Sequence, residues 1–224
     1  MRIDFHAHIL PGADHGSTST ASSVKMLNAA KAAGVEFIVA TPHFYPDKHH
    51  TSSFLGRREH AYEKIKPTLQ ELGIGCRLGA EVMLCEGLEN MHGLKKLCID
   101  GTSVMLLELP FRHISQRLIA SICNLQEMGI TPVLAHINRY SVRDINSILR
   151  YGTGAQLNAE AFFQMLRRGK AMKAVKNNVI QAMGSDAHED VPNCYEEFGR
   201  ALKRIGREAE DRIMRQSASL LNIK

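Results

Sequence analysis

No stretch of eighteen consecutive apolar residues occurs in this 224-residue chain, which argues against a membrane-spanning helix and against membrane insertion. The first residues read Met-Arg-Ile-Asp-Phe-His, a strand pattern carrying an aspartate. A basic segment followed by an apolar run is missing, so no signal peptide is expected. Cysteine is sparse and odd in number: Cys76, Cys85, Cys98, Cys123 and Cys194, with no Cys-x-x-Cys pair. A disulfide framework is therefore not expected, and a reducing cytoplasm is. No internal repeat, low-complexity tract or linker divides the chain, so residues 1–224 are read as one domain with room for a sizeable core. The formal charge of +5 is mildly basic, which suits an anionic substrate. Arg167, Arg168, Lys170, Lys173, Lys176, Lys203, Arg204 and Arg207 scatter along the late segments and read as solvated helix faces. No nucleic-acid partner is expected from them.

What the chain has in quantity is histidine, eleven residues in all. The opening stretch, residues 1–11, alternates Ile3, Phe5, Ala7 and Ile9 with Asp4, His6 and His8. A strand has period two, so His6 and His8 leave the same face about 7 Å apart and can converge on one metal ion. Downstream, short apolar runs alternate with helical periodicity. A helix is expected around 21–30, capped by serines and threonines and stopped at Gly34. A strand at 35–43 follows, then a helix over 54–72 that Pro67 should kink or restart. Further strands are expected at 76–84, 103–110, 131–136, 155–158 and 179–188. Helices are expected at 114–128 and 162–176, with two more closing the chain at 192–205 and 208–221.

Seven short apolar strands alternating with helices argue for a parallel α/β fold. Runs without clean alternation are those expected when both faces of a sheet are covered. Six of the seven end in metal-type residues: His6 and His8, His43, Glu81, Glu108, His136, then Asp186 with His188. Asp14 and His15 follow closely after the first strand. A closed barrel gathers all its strand ends at one face, whereas an open sheet gathers only those beside its switch point. A distorted seven-stranded (β/α)7, TIM-like barrel is therefore expected. Glutamates buried beside histidines are costly unless cations compensate. Imidazole with carboxylate and no thiolate points to Zn, Mn or Fe. The donors exceed the needs of one ion, so two or three divalent ions are expected.

The pattern His6-x-His8, Asp14, Thr-Pro-His43, Glu81, Glu108, Ala-His136-x-x-Arg139-Tyr140 and Ser-Asp186-Ala-His188 resembles the polymerase and histidinol phosphatase (PHP) superfamily. Within it, Phe-His-Ala-His-Ile-Leu-Pro-Gly and His-Ile-Asn-Arg-Tyr are similar to the bacterial manganese-dependent protein-tyrosine phosphatases of capsule and exopolysaccharide biosynthesis. The resemblance implies the PHP barrel and a trinuclear site, with Mn foremost and Fe or Zn as alternatives. It implies one ion on His6, His8, Glu81 and Asp186, a second on Glu81, Glu108 and His136, and a third on Asp14, His43 and His188. It implies that Arg139 grips the substrate phosphate, with His43 and His188 beside it at the reacting centre. Closely spaced divalent ions lower the pKa of a shared water, giving hydroxide near neutral pH, and polarise phosphoryl oxygens. A guanidinium offers phosphate a planar pair of donors. The implied activity is phosphomonoester hydrolysis, and the implied partner is a phosphotyrosine protein, a bacterial tyrosine kinase of polysaccharide export.

Three positions depart from that pattern. Asp14-His15-Gly16 stands where the subfamily has Asp-Asp-Gly, and Asn138 where it has glutamate. A second arginine usually follows the last ligand histidine; here Glu189, Asp190, Val191, Pro192 and Asn193 follow, and the next arginine is Arg200. His15, Asp190 and a metal-bound water stay open as general acid. Two alternatives therefore stand: a phosphatase of a small phosphoester such as histidinol phosphate or a nucleotide, and a decayed metal-binding regulatory protein. Cys194 to Arg200 matches the Cys-x5-Arg spacing of cysteine-dependent phosphatases. That chemistry needs a glycine-rich loop whose amides cradle phosphate, and this segment carries two glutamates and two aromatics instead.

Overall fold

The computed structural model describes residues 1–111 and 114–223. The first strand, β1 (Ile3–Ala7), is buried along its whole length. Helix α1 (Thr20–Ala32) starts where the Ser19 side chain accepts the Ser22 N–H, and Gly34 follows its end at a positive φ of 80°. Next come β2 (Phe37–Ala40) and β3 (His43–Phe44). The expected single strand is interrupted because Pro42 carries no N–H for the ladder. Helix α2 (Thr51–Leu72) then runs unbroken through Pro67, with no restart. Pro67 lies on the exposed side of α2.

The next expected strand is also split, into β4 (Gly75–Leu78) and β5 (Glu81–Met83). At the break, the buried Arg58 guanidinium of α2 donates to the Gly79 carbonyl at 3.1 Å. After β6 (Val104–Glu108), helix α3 (Gln116–Glu127) is capped by Ser115. Strand β7 (Thr131–Leu134) leads to helix α4 (Val142–Leu149), which the sequence reading did not anticipate. Strand β8 (Gly154–Asn158) precedes α5 (Arg168–Lys176), shorter than the helix expected over 162–176. The chain closes with β9 (Ala182–Gly184), α6 (Cys194–Ile205) and α7 (Arg207–Leu220).

All strand pairings are parallel. β1, β2 and β4 form one sheet in that order, and β3, β5, β6, β7, β8 and β9 form the other. The two curl toward each other. An isolated parallel bridge joins Ala7 to Ala187, and the Asp186 N–H donates to the His6 carbonyl at 2.8 Å. The first and last strands are thereby neighbours, and their C-terminal ends face one side of a curled parallel α/β sheet. Among the described residues no helix is long and apolar enough to cross a membrane.

Candidate metal centre

The polar strand ends converge. Glu81, at the start of β5, is the hub. Its Oε2 lies 3.2 Å from His6 Nε2, 3.3 Å from His8 Nε2 and 2.9 Å from His43 Nδ1. Its Oε1 lies 2.6 Å from His136 Nε2. Glu108, at the end of β6, stands 3.7 Å from His136 and 3.9 Å from His43. Asp186 Oδ1 is 3.5 Å from His6 and 3.3 Å from His8. The His6 and His8 Nε2 atoms are 3.0 Å apart, so the two imidazoles turn toward each other instead of standing apart along the strand. His6, His8 and His136 have no exposed surface at all.

Three overlapping sets of donor atoms are close enough to share an ion: His6, His8 and Glu81; His43, Glu81 and Glu108; and His8, His43 and His188. These sets differ in part from those the resemblance implies. Asp14 stands outside these three sets, beside His8 and His43. Its Oδ2 takes His8 Nδ1 at 2.7 Å and the His43 N–H at 2.9 Å, while Oδ1 takes the Gly16 N–H at 2.9 Å. It therefore supports His8 from behind. His188 stacks on His8 with ring centroids 4.2 Å apart, and His15 stacks on His43 at 4.8 Å.

The electrostatics follow from this crowding. Burial alone would raise the Glu81 carboxyl, yet the charge of His6, the bond to His136 and the nearby His43 ring hold it well below its ordinary range. Burial and the adjacent Glu81 carboxylate push Glu108 up to about 7. Burial and the charge of His8 pull His188 down to about 4. Asp186 sits well below its ordinary value because His6 and His8 outweigh its desolvation.

The donor chemistry fits divalent cations. Glu81 Oε2 and His43 Nδ1 are buried and within 2.9 Å, yet neither makes an aligned hydrogen bond. Buried polar atoms left without an aligned partner beside one another are the arrangement that a cation satisfies. Two donors also sit on strained backbone: His136 at φ 32° and Asp186 at φ 51°, both in the left-handed region. Non-glycine residues persist there when the surroundings force a side chain into place.

Arg139 follows His136 by three residues on a short turn, and its guanidinium pairs with Asp186 Oδ2. The Arg139 side chain is 29% exposed, whereas that of Asp186 is 6% exposed. Arg139 therefore stands between the buried donors and solvent. Asn138 bonds to its neighbours, its Nδ2 donating to Glu160 at 3.3 Å and its Oδ1 accepting the Asn158 N–H at 3.1 Å.

Four polar residues escaped the sequence reading. Gln156 and Asn158 lie on β8, fully buried. Gln156 Nε2 donates to Asn158 Oδ1, and Asn158 Nδ2 donates to Asp186 Oδ2 at 2.8 Å. Asp4, also buried, accepts the Ser185 N–H at 2.8 Å and the Ser185 hydroxyl at 2.6 Å, tying β1 to the segment that carries Asp186. Tyr45 stacks 5.4 Å from His43, and burial with the Glu108 and Glu81 charges pushes its phenol up to about 12. Only Asp4 carried a signal, as a charged residue alternating with apolar ones in a buried strand.

A curled parallel α/β sheet with histidine and carboxylate groups able to hold metal at its C-terminal edge is the class that fold and site define. The family model described as "Capsular polysaccharide synthesis, CpsB/CapC" matches residues 2–222, and the chain belongs to that family. It is 30% identical over 198 residues to the tyrosine-protein phosphatase YwqE of Bacillus subtilis strain 168, covering 83% of this chain and 77% of that protein. It is 25% identical over 197 residues to the putative tyrosine-protein phosphatase CapC of Staphylococcus aureus, covering 83% and 76%. Among solved structures, one described with YwqE from Bacillus subtilis and CpsB from Streptococcus pneumoniae superposes with a TM-score of 0.80 at 24% identity, covering 99% of this chain and 95% of the other. A TatD-like protein of Archaeoglobus fulgidus shares the fold at a TM-score of 0.56 and 12% identity, covering 99% and 100%.

Proposed function

We propose that this chain is a metal-dependent protein-tyrosine phosphatase, one phosphoesterase domain over residues 1–224. The named relatives are tyrosine-protein phosphatases, and the superposed solved structures are described as "unique metal-dependent tyrosine phosphatases". Counting β2 with β3 and β4 with β5 as interrupted strands gives the seven of a (β/α)7 barrel. The partner is the phosphorylated tyrosine kinase of a polysaccharide capsule system, met in the cytoplasm. Free thiols at Cys76, Cys98, Cys123 and Cys194 fit a reducing compartment.

The observation that carries this reading is Glu81 Oε2, a buried carboxylate oxygen with three imidazole nitrogens within 3.3 Å and no aligned hydrogen bond. His6, His8, His43, Glu81, Glu108, His136, Asp186 and His188 would hold two or three divalent ions, Mn foremost, with Asp14 fixing His8. Such ions supply Lewis acidity and a water made acidic enough to attack a phosphorus atom near neutral pH. The chain's own residues do the rest. Arg139, half-buried at the rim, binds the phosphate through two parallel donors. His43 and His188 flank the reacting centre, and their rings confine the ester from one side. His15, stacked on His43 and 5.0 Å from His188, lies where it can deliver a proton to the departing oxygen.

The test is phosphate release from a phosphotyrosine peptide, histidinol phosphate and a nucleoside monophosphate, each with Mn and with chelator. Chelator-sensitive release led by the phosphotyrosine peptide is expected. Release led by either metabolite would move the substrate to a small phosphoester.

A further inference from the structure

The segment after β8 carries features that the phosphatase reading does not use. From Ala161 to Ser185 the chain has no aspartate or glutamate, yet it holds Arg167, Arg168, Lys170, Lys173 and Lys176. Just before these cations, Met165 and Leu166 are 90% and 87% exposed. Both occupy a turn that leads into α5. Ala171 and Val175 bury the inner side of α5. Arg168, Met172 and Lys176, spaced four apart, share an outer row. Met172 is 36% exposed in the middle of it.

The other flank of α5 lines a groove of about 350 Å³ with Arg167, Lys170 and Lys173 at its edge and Ile137, Ile145 and Leu157 among its walls. Val142, another strongly exposed apolar residue, lines the same groove. No carboxylate lines it. Glu160, which precedes the run, already pairs with Arg167 at 3.6 Å.

We infer that this face docks on an anionic lipid surface, with Met165 and Leu166 entering the headgroup region and the cations of α5 on the lipid phosphates. Exposed apolar side chains next to a dense run of one charge are the pattern of peripheral membrane binding. The apolar tip is a protruding turn rather than a flat patch, so it suits a surface that yields to it. The turn follows the C-terminal end of β8, the same end at which the candidate metal donors converge. Docking would hold that end close to the bilayer.

The experiment is co-sedimentation of the full chain with vesicles. One set is phosphatidylcholine alone, and the other has a quarter of its lipid as phosphatidylglycerol. Binding to the anionic set at about 0.1 M salt, and its loss at about 0.5 M, is expected because screening shortens with salt. Binding to phosphatidylcholine alone should be weak. Each cation near such a surface contributes about fivefold to partitioning. An Arg168→Glu, Lys176→Glu variant should therefore bind at least tenfold more weakly, and so should Met165→Ser with Leu166→Ser. Metal content and hydrolysis of a soluble aryl phosphate report folding and should stay at the wild-type level in both variants. Equal binding to the two vesicle sets, no binding to either, or a wild-type response from both variants would overturn the inference. Self-association abolished by the Met165→Ser, Leu166→Ser change, without vesicle binding, would assign the face to a second copy of the chain instead.

Discussion

The Oε1 of Gln156 lies 3.3 Å from Nδ1 of His6 and accepts the backbone N–H of His136 at 2.6 Å. An amide oxygen only accepts, so it selects the His6 tautomer with its proton on Nδ1. Nε2 then keeps its lone pair toward Glu81 and Asp186. The same glutamine fixes the entry to the strained His136 backbone. Gln156→Leu keeps the volume and removes the acceptor. Metal affinity should fall about 10- to 100-fold, the usual cost of losing a group behind a ligand histidine. Calorimetric titration with Mn checks this. Unchanged affinity would remove Gln156 from the site's support.

Gly16 packs directly on His8. A Cβ at this position would sit 2.1 Å from His8 Cβ and 2.6 Å from the His8 carbonyl oxygen. Gly16→Ala must therefore displace either the turn or the ligand. A cost of about 1–3 kcal/mol in stability is expected from overpacking, with metal binding weakened as well. Chemical denaturation followed with and without Mn separates the two effects.

Arg139 stands at the rim, paired with Asp186. Arg139→Ala should keep metal content and lower turnover about 10²-fold or more, as loss of one charge-stabilising donor does. Arg139→Lys should recover little of it, because an ammonium lacks the planar fork. Metal analysis beside steady-state kinetics distinguishes this from a ligand role, in which both quantities would fall together.

The thiols should be bystanders. Burial pushes Cys76 up to about 12, and Cys98 and Cys194 up to about 11. Alkylation of Cys76, Cys98 and Cys194 in the native protein, followed site by site by peptide mass mapping, should be slow at neutral pH and rise with pH up to about 11. Because these folded values lie above the unfolded thiol value of about 8.5, their contribution to stability is complete below that value and is lost as pH rises through the folded values. Cys194→Ser should leave turnover unchanged, which excludes the Cys-x5-Arg reading by kinetics.

How far the fold and the candidate site could be read in advance depends on how local each signal is. His6, His43, Glu81, Glu108, His136 and Asp186 were visible because each closes a short apolar run, and a parallel sheet brings such ends together. Gln156 was not, because its partners, His6 and His136, lie 150 and 20 residues away. Asp4 likewise depends on Ser185, 181 residues on. The break at Pro42 could have been read from its missing N–H. The break at Gly79 had a cue in the glycine itself, whereas the Arg58 guanidinium that meets its carbonyl comes from α2, 21 residues earlier. Helix α4 spans only Val142–Leu149, with Ile145 and Ile148 as its buried residues, too short a pattern for periodicity to register. Its cap, Ser141 accepting the Asp144 N–H at 3.1 Å, was the available cue.

The central claim is that Glu81 is the shared carboxylate of a multinuclear metal centre that drives phosphoester hydrolysis. Elemental analysis of the purified protein and of Glu81→Ala, paired with phosphotyrosine hydrolysis by the same samples, tests it most directly. More than one transition-metal ion per wild-type chain is expected, with loss of both metal and turnover in the variant. Wild-type turnover from metal-free protein, or a Glu81→Ala variant that keeps both its metal and its activity, would contradict it.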